Sequence, residues 1–589
     1  MNRLLTFLLF CLIALLPGRA QVLRVPKEKV GTPILFGSRL VDVSEAGGKV
    51  FAPGQRNARP VLSHFCLADS ALVLMPEQEG RHRGGGKGMG KGKGQHREEG
   101  LRFPLLRETP DSYEVSLQEV FSSYPDLISA IPPKMLPGPA LEWDILDVAQ
   151  QEDYLQVTAR YQYENGWDVT VNCYWIYLKE TPMAPRTVED SKAGYTRLEG
   201  PRKLLLPSLR WDLSGGRRLV FYIDRAFPEA WVPYIKEGLE DWNKAFEAIG
   251  LGAVIQALPE PEGLDRNGPL TNMVRYMDVE VANAKGDALP DPRSGEILQG
   301  DILWWKNVVG LLKDWRYVQT GAADPAARQE EYPIDMLGPL IRHAICHEMG
   351  HVLGLSHNMG ASWSYPARLL HSPSFTREYG TCASVMDYAR YNHLATVADV
   401  RKGVNLLPPR LGPYDYYAIA LGYADEEPVP GPYCYFAPFI SAAISPDPSS
   451  QSETLSNDLL ASSEAGLQNC RALLSLDGLT SHRQELLRKQ YYRYVFLSLS
   501  NIGGLVQGEP VPRRIRRQTL RFVLKSLAEV PPALADPVQQ ERILQELEGN
   551  FLPKRLEETV GEKELQDYYR QLNCLKKRYP NLYRKPITL

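Results

Sequence analysis

Between Pro228 and Ile249 the apolar residues Trp231, Ile235, Leu239, Trp242 and Phe246 recur every three or four positions, which predicts a helix with one buried face. Gly250 and Gly252 end it. The run before it, Arg218 to Ile223, reads as a strand, and short β-like runs follow at Ala253 to Leu258, Met273 to Val281 and Gly300 to Trp305. The last of these is expected to be an edge strand along which an extended chain could pair. Pro339 should open a further helix near its first turn, and Tyr416 to Tyr423 another. Toward the N-terminus, Tyr154 to Tyr163 and Trp167 to Leu178 alternate in polarity and meet at Asn165-Gly166, a hairpin signal. Toward the C-terminus, Leu467 to Leu505 and Arg513 to Leu527 have helical periodicity, and the Pro-rich 428–432 and Ser-rich 445–463 read as linker. The pattern predicts an α+β chain with a β-rich N-terminal domain over 21–205, a mixed domain over 206–425, and a linker with an α-helical domain over 426–589.

Candidate chemistry lies in the middle domain, where His347, Glu348, His351, Gly354 and His357 spell His-Glu-x-x-His-x-x-Gly-x-x-His. Residues four apart share a helix face, so His347 and His351 can present two ring nitrogens to one zinc ion at about 2.0–2.1 Å. Glu348, beside the ligands without being one, is placed to take a proton from a water activated by the metal. Gly354 permits the positive φ with which the chain leaves the helix, returning His357 as third ligand. A fourth position stays open, as a catalytic zinc requires. A bare His-Glu-x-x-His arises by chance in long helical chains, but two further fixed residue types, at roughly one in twenty per position, make this string rarer by a factor of a few hundred. His343 shares the face of His347, yet a fourth imidazole would close the site, so it reads as a wall or surface residue.

Ser384-Val385-Met386-Asp387-Tyr388 resembles the Met-turn of metzincins, in which a methionine floors the metal. The resemblance implies that Met386 supplies that floor and Tyr388 a fifth ligand or an oxyanion donor, and it extends over roughly Arg217 to Asp425. It implies a metzincin-like catalytic domain with a twisted mixed sheet, a long helix, a zinc-binding helix and the Met-turn. Together with Asp291-Pro-Arg-Ser-Gly-Glu-Ile297 and Gly412-Pro-Tyr-Asp-Tyr-Tyr-Ala-Ile419, the helix string is similar to a family of large secreted bacterial zinc-dependent metalloproteases with flanking domains of unknown function. The expected activity is a zinc endopeptidase with one catalytic Zn2+ and a protein or peptide substrate. Two alternatives stay open at this point: a non-catalytic surface scaffold on the same fold, and hydrolysis of a non-peptide amide.

Composition changes this picture little. At 589 residues the chain should hold more than one core, and 67 Lys and Arg against 70 Asp and Glu, a net charge of −3, give no case for a nucleic-acid partner. The run Arg513, Arg514, Arg516, Arg517 reads as a solvated helix face. Met1 to Ala20 has the positive, apolar and small-residue regions of a signal peptide, which predicts an exported chain, periplasmic, on the outer surface or extracellular, with no transmembrane segment once mature. Of the eight cysteines, Cys11 falls in that leader, and the remaining odd set forms no disulfide framework. Cys346 is expected in the core, and nothing around Cys66 marks it as an inhibitory thiol. Gly84 to Gly94, alternating Gly with Lys, cannot bury apolar surface and is expected to be a loop.

Overall fold

Alternation decides the N-terminal architecture, because one face of each strand must be covered. In the computed structural model, which describes residues 22–44, 51, 53–56, 60–77, 100–123, 131, 135, 136, 138–198, 207–408, 410–439, 444–549 and 551–578, the chain divides into two compact units. The signal peptide expected at Met1 to Ala20 and the loop expected at Gly84 to Gly94 lie outside the described residues.

The first unit comprises Met1–Pro185, Pro259–Val281 and Asp287–Lys306. Its strands β1 (Val22–Pro26), β2 (Ile34–Val43), β3 (Val61–Ala68), β4 (Ala71–Pro76), β5 (Leu101–Glu108), β6 (Ser112–Ser116), β7 (Ala140–Gln150), β8 (Tyr154–Tyr163) and β9 (Asp168–Tyr177) form one nine-stranded sheet in the order β1-β6-β5-β4-β3-β2-β9-β8-β7. Leu23, Phe65, Phe103, Val157, Val171 and Trp175 belong to the core over it. A short 3-10 turn at Glu164–Gly166, with Gly166 at φ 76°, joins β8 to the antiparallel β9. Five further strands follow along the chain, β10 (Leu219–Ile223), β11 (Ile255–Pro259), β12 (Met273–Met277), β13 (Ala284–Pro290) and β14 (Ile297–Trp305), of which β12 and β14 belong to this unit, β10 and all but the last residue of β11 to the second, and β13 to both. β12 and β14 pair in parallel, and β14 lies between β12 and β13. The expected edge strand at Gly300 to Trp305 is therefore an inner one; nearly every residue of β14 is buried, and β13, rich in polar and small residues, takes the edge.

The second unit holds Arg186–Leu258, Ala282–Gly286 and Asn307–Leu589. The helix expected from Pro228 to Ile249 is split into a 3-10 turn at Glu229–Trp231, α1 (Val232–Glu240) and α2 (Asn243–Ala248). The break falls where Asp241 accepts two hydrogen bonds from Arg342 (2.7 and 2.5 Å) and Trp242 Nε1 donates to Cys346 O (2.8 Å). Both partners lie on the helix that carries the histidines. After α3 (Val308–Thr320) that helix, α4, runs Ile334–Val352, so Pro339 lies inside it rather than at its first turn. α5 (Pro413–Tyr423) is followed by α6 (Leu459–Leu474), α7 (Ser481–Ser498), α8 (Arg513–Ala528), α9 (Pro537–Glu548), α10 (Phe551–Thr559) and α11 (Glu562–Arg578). Tyr317 and Val318 of α3 share an apolar cluster with Leu467, Leu487, Tyr491 and Val523.

Two readings of polarity need correction. The Ser-rich stretch is no solvated linker: Ser445, Ser449, Ser450, Ser462 and Ser463 are buried. Their hydroxyls find local partners, Ser449 Oγ on Asp447 and Ser462 Oγ with His393 Nε2 (2.9 Å), which is how polar sequence enters a core. Arg516 is also buried, 3.4 Å from Glu564, while Arg513, Arg514 and Arg517 are exposed. The seven described cysteines are free thiols, Cys346 fully buried, and among the described residues no helix is long and apolar enough to cross a membrane.

Candidate metal centre

α4 ends in a tight reversal that its glycine makes possible. Gly354 N donates to His351 O (2.9 Å) and Leu355 N to Gly350 O (3.0 Å), the paired bonds of a Schellman cap, with Gly354 at φ 96°. A Cβ on Gly354 would lie 2.0 Å from Leu209 O, so this position demands glycine for both conformation and space. The chain then turns back, carrying His357 beside the last turn of the helix.

His347, His351 and His357 are thereby gathered so that one ring nitrogen of each lies within 4.8 Å of the others. His347 Nδ1 sits 2.7 Å from Val385 O and His351 Nδ1 2.8 Å from Leu355 O. Carbonyls only accept, so both Nδ1 atoms carry the proton and both Nε2 lone pairs point into the space the three rings share. His351 Nε2 and His357 Nε2 are 3.2 Å apart. A tetrahedral ion holding two nitrogens at about 2.0–2.1 Å spaces them by about 3.3 Å, so the donor set fits zinc in kind and in spacing. Burial pushes all three imidazoles below their ordinary range, His357 to about 3 with His351 and Arg390 adding to the effect, and so favours the neutral, ligating form. His343 is half-buried and is not one of the gathered three.

Glu348 is 8% exposed, and its Oε2 accepts a hydrogen bond from Gly286 N (2.6 Å). Burial pushes its carboxyl up to about 7, against the opposing pull of that N–H and of the Lys285 charge. The approach requires glycine, since a Cβ on Gly286 would stand 2.3 Å from Glu348 O. Sequence reasoning missed Gly286, and its only signal is a glycine between lysine and aspartate.

Beside His347 lies the Ser384–Tyr388 turn, which supplies Val385 O to its Nδ1. Gly350 abuts Met386, whose Sδ would be 2.2 Å from an added Cβ. The turn is held by Asp415, a buried carboxylate near the start of α5 that accepts from Ser384 Oγ (2.5 Å), Val385 N (2.9 Å) and Gly412 N (2.8 Å). Because Val385 O orients His347, Asp415 fixes that imidazole at one remove. It sits in the Gly412 to Ile419 motif, but sequence gave it no role. Tyr388 lies beside the histidines, its ring centroid 4.6 Å from that of His357, edge-on, and 5.8 Å from that of His347, tilted. Burial raises its phenol pKa, and the Arg390 guanidinium 4.8 Å from its ring opposes this. Arg390 in turn lies 3.3 Å over Trp315 and donates to Tyr388 O (3.2 Å).

The arrangement is thus a three-imidazole cluster, His347 buried and His351 and His357 partly so, with a carboxylate and a tyrosine beside it. No curated protein and no solved structure matches the chain. Residues 329–430, which carry the histidines, the turn and α5, match the model of a family described as Met-zincin, and this segment is of the metzincin type.

Proposed function

We propose that the chain is an exported zinc endopeptidase with one catalytic Zn2+. The observation that carries this reading is the convergence of the three imidazole nitrogens within 4.8 Å, flanked by a carboxylate that is not one of them. Zinc held by His347, His351 and His357 supplies a Lewis acid for the scissile carbonyl and for water. Glu348, oriented by the Gly286 N–H, takes the proton of the attacking water and hands it to the leaving amine. Tyr388 donates its phenol hydrogen to the oxygen on which negative charge develops. Met386 and Asp415 hold the floor and the His347 ring against rotation. A purely structural zinc site has no use for a carboxylate in the place of Glu348, which favours catalysis over a scaffold role. The export part of the proposal rests on the Met1 to Ala20 composition. Digestion of an unbiased peptide library by the purified mature protein, before and after chelation and with zinc restored, tests the reading. Cleavage that vanishes on chelation and returns with zinc supports it; no cleavage of any peptide by zinc-loaded protein overturns it.

A further inference from the structure

Phe439 is 43% exposed, yet its ring lies 5.7 Å from that of His357 and 6.0 Å from that of Tyr388, edge-on to both. It is held there by the residues just before it. Pro438 bridges Asn358, the residue after the third histidine, in an antiparallel pair. The fully buried Asn358 accepts from Ala437 N (3.0 Å) and donates to Tyr435 O (2.9 Å), and Met359 N donates to Ala437 O (2.8 Å). These bonds tie the segment carrying Phe439 to the chain carrying His357, so the ring keeps its place when His357 does.

This half-open aromatic face stands beside a buried His347 and the partly buried His351 and His357. Apolar area left in water is a standing cost, and this ring adjoins His357 and Tyr388. Arg390, whose charge acts on His357, is already engaged over Trp315 and with Glu453 (3.7 Å), so it does not make this rim a carboxylate-binding one. We infer that Phe439 forms the apolar wall of a substrate subsite and makes the enzyme select a large aliphatic or aromatic residue next to the scissile bond. This rests on the peptidase reading above. A substrate side chain such as leucine or phenylalanine covers the ring and removes both apolar surfaces from water, whereas alanine leaves most of it open and aspartate adds a charge to be desolvated.

The test compares paired peptides that differ only in one residue flanking the cleaved bond, Leu or Phe against Ala, with wild-type protein, Phe439→Ala and the milder Phe439→Leu. Zinc content is measured on each protein. Wild type should favour the large apolar residue by about 10–100-fold in kcat/KM, the discrimination a hydrophobic pocket supplies. Phe439→Ala should bring the ratio to within about threefold of unity, with Phe439→Leu between. Dissociation constants for the same peptides on zinc-loaded Glu348→Ala, with and without Phe439→Ala, should show the same loss of discrimination without turnover. An unchanged ratio in Phe439→Ala, or a wild-type preference for charged residues there, overturns the inference while leaving the peptidase reading intact. Wild-type protein that neither cleaves any peptide nor, as Glu348→Ala, binds one removes both.

Discussion

Replacing Gly354 by alanine strikes at the link between the helix cap and the metal cluster. At φ 96° an L side chain is strained by about 1–2 kcal/mol. The new Cβ would also stand 2.0 Å from Leu209 O, where real Cβ atoms essentially never come within 3.0 Å, and the obstacle is backbone. Relief requires a backbone shift worth about 1–3 kcal/mol, for a total of about 2–5 kcal/mol. Gly403→Ala is the internal control, because its φ is 87° but nothing lies within 4 Å of an added Cβ. That variant should lose only the conformational part, about 1–2 kcal/mol. Urea unfolding followed by tryptophan fluorescence measures both, since Trp211 Nε1 (to Val352 O, 2.9 Å) and Trp242 Nε1 (to Cys346 O, 2.8 Å) are bonded to the histidine helix itself. The shift that relieves the clash moves His351 relative to His357, so zinc retention should also fall in Gly354→Ala and not in Gly403→Ala. Equal destabilisation of the two variants with full zinc in both would show that the close approach to Leu209 does not exist.

Three further outcomes are expected. Asp415→Asn places an amide where Val385 N, Gly412 N and Ser384 Oγ all donate, which should weaken zinc binding by about 10–100-fold in a competition titration while the fold survives; unchanged affinity would remove Asp415 from the support of His347. Tyr388→Phe should retain zinc and lose about 10²–10³ in kcat with little change in KM, as for a deleted oxyanion donor, whereas unaltered kcat would make it a packing residue. Burial depresses the imidazole of His393 from 6.5 to about 4; the unfolded chain therefore binds a proton that the folded one does not, and stability present above pH 6.5 should fall by roughly 3 kcal/mol as pH drops toward 4. His393→Gln should flatten that part of the stability profile, and an equally steep profile in the variant would show the effect lies elsewhere.

The histidine cluster was legible because its geometry is set locally. Helical periodicity places His347 and His351, and one positive-φ glycine returns His357, so spacing alone carries the information. Met386 and Tyr388 were legible only through resemblance, since nothing in their local pattern says that one abuts Gly350 and the other lies beside the rings. Gly286, Asp415 and Phe439 act across separations of 62, 30 and about 80 residues, and a single sequence does not encode such proximities in any periodic signal. The misplaced edge strand has a similar cause. β14 is apolar enough to read as a strand but its burial on both faces depends on neighbours, while β13 contains Lys285, Gly286 and Asp287, residues of weak β preference that an edge tolerates. The Ser-rich stretch misled because polarity predicts exposure only when hydroxyls lack partners, and here Asp447 and His393 supply them.

In the proposed mechanism Glu348 performs the chemistry at a site it does not build. The direct measurement is zinc content together with peptide turnover for Glu348→Ala beside wild type and His351→Ala. Wild type and Glu348→Ala should each carry one zinc per chain, His351→Ala should be depleted of zinc, and turnover should occur in wild type alone. Near wild-type cleavage by Glu348→Ala, or equal zinc in His351→Ala and wild type, would contradict it.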